Sequence, residues 1–219
     1  MERLFIDRRD AGRQLAERLG AWAGRDDVVV LGLPRGGVPV AFEVAAALGA
    51  PLDVLPVCKV RMPWQPELAL GALSSNGAQY IDHQMVRESG IAPSRLDEEL
   101  EKAREELARR EALYRGGRAP APVAGRIAIV VDDGMATGAA LKAAALALAP
   151  LRPARIVAAL PVAPADGPRR VGDAVDELVC VQMPPNFMSV GQFYRNFEQT
   201  SDGEVNELLE RAAGRRCAG

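Results

Sequence analysis

The chain has a single histidine, three cysteines and only 5% aromatic residues among its 219 positions. One histidine, His83, cannot build a metal cluster, and a surface or helix-capping place is the favoured reading for it. Cys58, Cys180 and Cys217 lie far apart and are odd in number, so neither a disulfide framework nor a CxxC pair arises. Cys58 and Cys180 sit in apolar runs and read as core thiols, which fits a reducing cytoplasm. No charge of one sign dominates: 27 basic residues face 29 acidic ones, for a formal net charge of −2. A nucleic-acid partner is therefore not expected. No apolar run approaches membrane-spanning length, so no membrane is expected either. The opening MERLFIDRRD is interrupted by charges and does not read as a signal peptide. Internal repeats and low-complexity tracts are also missing.

What remains is ordinary globular material, 48% hydrophobic and 26% charged, enough for one large α/β domain over residues 1–219. Its most informative stretch runs from Gly125 to Leu141. Ile127 to Val131 is a short β-branched run that predicts a buried strand. Gly138 to Leu148 is rich in alanine with leucines at helical spacing, which predicts a helix. Between them stand Asp132 and Asp133, then Gly134, Met135, Ala136, Thr137 and Gly138. A tight strand-to-helix turn aims several backbone N–H groups at one point, and the helix start adds partial positive charge. Such a turn suits a phosphate, and Thr137 adds a hydroxyl donor. The two acids would repel a phosphate. As ionised carboxylates they only accept hydrogen bonds, so they suit hydroxyl groups. A phosphate cradle beside two acceptors describes a site for ribose 5-phosphate. The competing reading is a capped turn with two incidental aspartates.

Val130-Val131-Asp132-Asp133-Gly134-Met135-Ala136-Thr137-Gly138 resembles the phosphoribosyl pyrophosphate signature of type I phosphoribosyltransferases. The resemblance covers roughly Val28 to Val205. It implies an α/β fold with a doubly wound, mostly parallel sheet, a small hood and a long helical insertion. It also implies a Mg²⁺-dependent transfer of ribose 5-phosphate to a small nitrogen acceptor, a nucleobase or related compound, with release of pyrophosphate. The metal would be held mainly by substrate oxygens and water, with Asp132 and Asp133 as further contacts. Enzymes for 6-oxopurines carry an aspartate just before the signature threonine. Ala136 stands there in this chain, which disfavours a hypoxanthine–guanine role and leaves the acceptor open. Two alternatives carry the same residues: a ligand-binding regulator without turnover, and a hydrolase acting on a ribose phosphate.

The rest of the chain can be set around that centre. Asp10 to Trp22 predicts an amphipathic helix. Val28 to Leu33 predicts a buried parallel strand, followed by Pro34-Arg35-Gly36-Gly37 and a helix from Val38 to Leu48. Gly36 and Gly37 let backbone approach a ligand, and Arg35 offers a fork for phosphate oxygens. In the family this loop binds pyrophosphate and often holds a non-proline cis bond, here assigned to Arg35–Gly36. Leu52 to Val60 predicts the next strand. It leads into a stretch with two prolines and Trp64, expected as a flexible loop that closes over the ligand. Lys59 and Arg61 would neutralise the departing pyrophosphate. Glu67, the loop's one carboxylate, is a candidate for proton transfer.

Leu70–Leu73 and Ala78–Ile81 predict short strands around an Asn-Gly turn. Residues 93–115 form the helical insertion, whose Glu and Arg residues read as a solvated face. An arm that helps form a homodimer is one use for it. Residues 116–123 form a linker. Strands are expected over Arg155–Val162 and Leu178–Met183, with a short helix within Pro168–Val175. Residues 184–205 hold Phe187, Phe193, Tyr194 and Phe197. The tail resembles that of certain bacterial phosphoribosyltransferase-like proteins, ending Val-Gly-x-x-Tyr-x-x-Phe-x-x-Thr-Ser-Asp, although Phe193 intrudes before Tyr194. The segment is expected as the hood, with Phe187 and Tyr194 stacking on the base; a plug over the sheet edge is the competing reading. A last helix is expected over Glu204–Ala212, capped by Thr200 or Ser201.

Overall fold

The computed structural model of the chain describes residues 4–74 and 78–217, and the side chains of all of these but 66–68, 78 and 215–217. In chain order the elements are α1 (Arg8–Arg18), β1 (Val28–Gly32), α2 (Gly37–Leu48), β2 (Leu52–Val54), β3 (Val57–Met62), β4 (Gln65–Ser74) and β5 (Ala78–Ile81). Then come α3 (His83–Ser89), α4 (Pro93–Arg115), β6 (Ile127–Val131), α5 (Ala139–Leu148), β7 (Arg155–Val162), α6 (Gly167–Val171), β8 (Glu177–Gln182) and α7 (Asp202–Cys217). The main sheet has five strands in the order β2-β1-β6-β7-β8, every neighbouring pair being parallel.

The β-branched runs of β1 and β6 are buried at every position, as strands covered on both faces must be. Alternate residues serve opposite faces. Val29, Leu31, Ala128 and Val130 pack with Leu141, Ala144 and Leu148 of α5. Val28, Val30, Ile129 and Val131 pack with Leu15 of α1 and Val40 and Val44 of α2. Each valine, leucine or isoleucine buried in this way contributes about 1.5–3 kcal/mol. The helices that follow β1 and β6 thus leave these adjacent strands toward opposite faces. The crevice opened between the two turns, at the carboxyl ends of the strands, is where such sheets bind ligands.

A second sheet, in the order β3-β4-β5, is antiparallel. One face carries Cys58, Val60, Leu70 and Leu73 against Leu100, Ala103 and Leu107 of α4. Val57 and Ala72 on the other face meet Ala143 and Ala147 of α5. The expected strand 52–60 is therefore two strands in two sheets, parted at Leu55-Pro56, where Pro56 has no N–H to carry a ladder onward. The stretch expected as a flexible loop is a hairpin. β3 pairs with β4 from Val57–Ser74 to Met62–Gln65, with irregular register about Arg61, and Pro63-Trp64 is its turn. The Asn-Gly turn expected at 75–77 lies outside the described residues.

Arg115 anchors the far end of α4. Its guanidinium donates to both Asp53 carboxylate oxygens, at 2.9 and 2.7 Å, and to the Val54 carbonyl at 2.9 Å. Smaller differences from expectation lie at helix ends. Residues 20–22 form a separate 3-10 turn after α1, and α7 starts at Asp202, with Ser201 accepting the Glu204 N–H. His83 opens α3 as an exposed residue, while the N-cap is Asp82, which accepts from the Met85 N–H. Cys58 is buried and Cys180 half-buried, and both are free thiols. Among the described residues no helix is long and apolar enough to cross a membrane.

Candidate active site

The turns after β1 and β6 lie side by side. Leu33 donates its N–H to the Val131 carbonyl at 2.9 Å. A Cβ on Gly37 would come within 2.6 Å of that carbonyl oxygen, and one on Gly36 within 2.1 Å of Asp133 Oδ2. Only glycine permits this approach. The non-proline cis bond in the first turn is Pro34–Arg35, one residue before the expected Arg35–Gly36. Gly36 instead has helical dihedrals, φ −62° and ψ −30°, and leads directly into α2.

In the second turn the Met135 N–H reaches back to the Val162 carbonyl at 3.0 Å and its side chain is buried. This fixes the loop at its middle and leaves Ala136 and Thr137 exposed. Gly138 turns the chain into α5 at φ +79°, a value side-chain-bearing residues rarely adopt. Asp132, Gly134, Met135, Ala136, Thr137 and Gly138 line a cavity of about 100 Å³ against the start of α5. A guanidinium that was not expected here, from Arg170 of α6, donates to the Ala136 carbonyl at 2.7 Å and to Asp166 at 2.7 Å.

A larger cavity, of about 480 Å³, opens beside the first. Leu33, Pro34 and Asp132 form its wall on the main sheet; Lys59 and Arg61 of β3 and Glu99, Lys102, Glu106 and Arg110 of α4 form the opposite one. β3 is an edge strand of its sheet, and Arg110 donates to the Val57 carbonyl on its free edge at 3.2 Å. Four of the charged residues of α4 read from sequence as a solvated face thus line a cavity, while others such as Glu101, Arg104 and Arg109 are exposed to solvent. Glu99 pairs with Lys102, and Glu106 with Arg110, and such i,i+3 and i,i+4 pairs look the same in sequence on either kind of face.

The two acids are placed differently. Asp132 lines both cavities, and Asp133 lines neither. Asp133 Oδ2 accepts from Arg8 Nε of α1 at 2.8 Å, with the two side chains 15% and 12% exposed. Burial, and then the neighbouring Asp133 charge, push the Asp132 carboxyl well above the ordinary carboxylate range. Burial also raises Asp133, while Arg8 opposes the rise. Burial, and then the like charge of Arg61, lower the Lys59 ammonium below the usual lysine range.

Arg35 is not among the residues lining either cavity, and its guanidinium lies 3.9 Å from Asp202. Asp202 also accepts from the Tyr114 hydroxyl at 2.7 Å, and burial, then Asp202, push that phenol up to about 12. Glu67 falls on β4, and its side chain is outside the described residues.

The aromatic tail does not overhang the site. Tyr194 is 2% exposed, between the rings of Phe5 and Phe197 at centroid distances of 5.2 and 4.9 Å. Its hydroxyl donates to the Asp133 carbonyl at 2.6 Å. Buried to this degree against two other rings, Tyr194 offers no face to a base. Phe187 packs on Phe193 at 5.4 Å, in the same buried cluster, and is not among the residues lining the large cavity. The segment 184–205 buttresses the second turn, and the part that covers the cavity is the hairpin with α4.

No group of three or more His, Cys, Asp or Glu suited to a metal occurs among the described residues. Three carboxylates line the large cavity, Asp132, Glu99 and Glu106. The two glutamates are paired with Lys102 and Arg110, which leaves Asp132 as the hard oxygen donor on the main-sheet side. That donor set fits Mg²⁺ carried on phosphate oxygens and water, which needs only one or two protein carboxylates.

A family model described as a phosphoribosyl transferase domain matches residues 6–198. Two curated relatives from Mycobacterium tuberculosis, provisionally named phosphoribosyl transferases, are 50% identical over 210 residues. The match takes in 96% of this chain and 47% of theirs, so the chain spans about half the length of the curated relatives it matches. The crystal structure of TT1426 from Thermus thermophilus superimposes with a TM-score of 0.86 at 41% identity, over 96% of this chain and 99% of that one. A Neisseria gonorrhoeae protein crystallised with ppGpp shares the fold at 12% identity and a TM-score of 0.51, over 98% of both chains.

Proposed function

From the premise that the chain belongs to the phosphoribosyl transferase family, we propose that it transfers ribose 5-phosphate from phosphoribosyl pyrophosphate to a small nitrogen acceptor. The observation that carries this reading is the place of Asp132. It stands between a 100 Å³ cradle edged by main chain and a 480 Å³ cavity that holds Lys59 and Arg61. A ribose bearing a monophosphate at one end and a diphosphate at the other needs those surroundings in that order.

In the reaction the C1′–oxygen bond to pyrophosphate breaks and C1′ gains cationic character before the acceptor nitrogen bonds to it. Turn 134–138 holds the 5-phosphate with the backbone N–H groups other than that of Met135, which the Val162 carbonyl takes, and with the Thr137 hydroxyl. Asp132 accepts from ribose hydroxyls and supports the positive charge growing beside it. Arg35, Gly36, Gly37, Lys59 and Arg61 receive the departing diphosphate. Bound Mg²⁺, touching the protein at Asp132, would supply further neutralisation of phosphate charge. The acceptor enters between β3 and α4, where Glu99, Lys102, Glu106 and Arg110 offer both hydrogen-bond donors and acceptors. The lining residues described there include no aromatic ring, so acceptor recognition rests on polar contacts. Ala136 leaves no carboxylate for the base nitrogen of a 6-oxopurine.

The test is to incubate the protein with Mg²⁺, phosphoribosyl pyrophosphate and a panel of bases and amines, and to measure pyrophosphate release. Release that depends on one acceptor supports transfer. Release without an acceptor means hydrolysis, and binding without release under every condition means a regulator. A cytoplasmic setting accompanies the proposal, in keeping with the free thiols of Cys58 and Cys180.

A further inference from the structure

We infer that Asp133 is a positioning residue, held by Arg8, and that Asp132 alone of the acid pair faces the sugar. This rests on the ribose phosphate reading above and goes beyond it. Asp133 Oδ2 is occupied from two directions: Arg8 Nε donates to it at 2.8 Å, and Gly36 leaves it so little room that a Cβ there would lie 2.1 Å away.

Arg8 is itself fixed by three groups. Besides Asp133, it donates to the Glu198 carbonyl, and its guanidinium lies over the Phe197 ring, 4.1 Å from the centroid. The Asp133 main chain is held as well, since its carbonyl accepts from the buried Tyr194 hydroxyl at 2.6 Å. The Asp133 N–H donates to Asp132 Oδ1 at 2.9 Å, which ties the orientation of the ligand-facing acid to the backbone of the held one.

The ion pair therefore acts as a spacer between the turns. The carboxylate fills the gap beside Gly36, and Arg8 holds it in place. Arg8 of α1 and Tyr194 of the tail segment, 125 and 61 residues from Asp133 in sequence, brace the site from behind. A planar fork with one branch on a carboxylate and another on a carbonyl is work a lysine does less well. Asp133 is thus distinguished from Asp132 by its partners, although the two are adjacent and chemically identical.

The experiment is calorimetric titration with phosphoribosyl pyrophosphate plus Mg²⁺, and separately with ribose 5-phosphate. The proteins are the unaltered chain, Asp132→Asn, Asp133→Asn, Arg8→Gln, Arg8→Lys and the Arg8→Gln/Asp133→Asn pair. Misplaced binding groups cost about tenfold or more in such sites, so Arg8→Gln is expected to weaken both ligands by that factor, with partial recovery in Arg8→Lys. The double variant is expected to bind no worse than the weaker single one, because each change removes the same contact. Amide exchange in the 33–38 turn should rise in Arg8→Gln, although no residue of that turn is altered. If Arg8→Gln does not fold, Arg8→Lys and Asp133→Asn carry the comparison. Arg8 variants that bind normally, with Asp133→Asn as damaging as Asp132→Asn, would overturn the assignment and place Asp133 on the sugar. No binding by the unaltered chain would remove the ribose phosphate reading and this inference with it.

Discussion

On the main-sheet side of the large cavity, the wall is made of turns: glycine-rich main chain, one outward carboxylate, and strands behind it buried at every residue. On the opposite side the wall is made of side chains, from an edge strand whose burial alternates and a helix whose charged stripe is half-exposed. Main-chain groups held by a packed sheet can bind only what matches a fixed geometry. Long charged side chains on an edge strand and a helix can be exchanged without disturbing a core. The fixed wall suits the sugar phosphate, and the variable wall suits the acceptor and, together with the Arg35-Gly36-Gly37 turn, the diphosphate. The two should therefore respond separately to substitution.

The largest effect is expected on the fixed wall. Asp132→Ala removes the acceptor of the ribose hydroxyls, and hydrogen bonds to a charged group are worth about 1.5–3 kcal/mol each. Affinity for ribose 5-phosphate and for phosphoribosyl pyrophosphate should fall together, by about 100-fold, as measured by calorimetry. Equal affinity in the variant would end the ribose assignment.

Gly36→Ala comes next. Its Cβ would meet Asp133 Oδ2 at 2.1 Å, so the Asp133 carboxylate must leave Arg8 or the two turns must separate, and overpacking of this kind costs about 1–3 kcal/mol. Both ligands should weaken and the thermal midpoint should fall. A variant with normal binding and an unchanged midpoint would show that the turns are not in contact as described.

Lys59→Met probes the other wall and sharpens the contrast. Lys59 is half-buried beside Arg61, and burial makes its charge costly to keep in the absence of an anion. Phosphoribosyl pyrophosphate should lose about tenfold in affinity, the worth of one charge-assisted contact. Ribose 5-phosphate, which has no diphosphate, should bind as before. Parallel loss of both ligands would mean that the walls do not divide the ligand in this way.

The same contrast explains what the sequence disclosed. β1, β6 and their turns were legible because parallel strands buried on both faces read as unbroken β-branched runs, and because glycines and acids mark a strand-to-helix turn. The second wall was hidden. Pro63, Trp64 and Pro66 suggested a loop where two strands pair around a two-residue turn. The stripe from Glu99 to Arg110 is patterned like any solvated helix. Tyr194 and Phe187 looked like stacking groups because an aromatic residue in a polar tail is ambiguous until its neighbours are known, and Phe5 lies at the opposite end of the chain. Arg8 carried no signal, since its partner is 125 residues away and arginine is the chain's common cation.

The smallest effect concerns stability, and its sign is opposite to the effect on binding. Burial and the Asp133 charge hold the Asp132 carboxyl well above the ordinary range, while in the unfolded chain it titrates near about 3.9. Between those values the folded chain binds more protons than the unfolded one, so stability falls as pH rises through the window. Above the raised value the full cost of a buried charge is present. Asp132→Asn keeps the shape and the hydrogen-bonding capacity and removes that charge. It should therefore be more stable than the unaltered chain at pH 7, by about 1 kcal/mol, or about 2–4 °C in thermal midpoint for a domain of this size. Below about pH 3 both side chains are neutral in both states and the two midpoints should meet. A pH series of melting curves measures this directly. A variant less stable at pH 7, or a difference that does not change with pH, would mean that the Asp132 charge is compensated within the fold. A variant that gains stability as it loses the ligand would mark Asp132 as a group kept charged at the expense of stability, because the ligand it faces requires it.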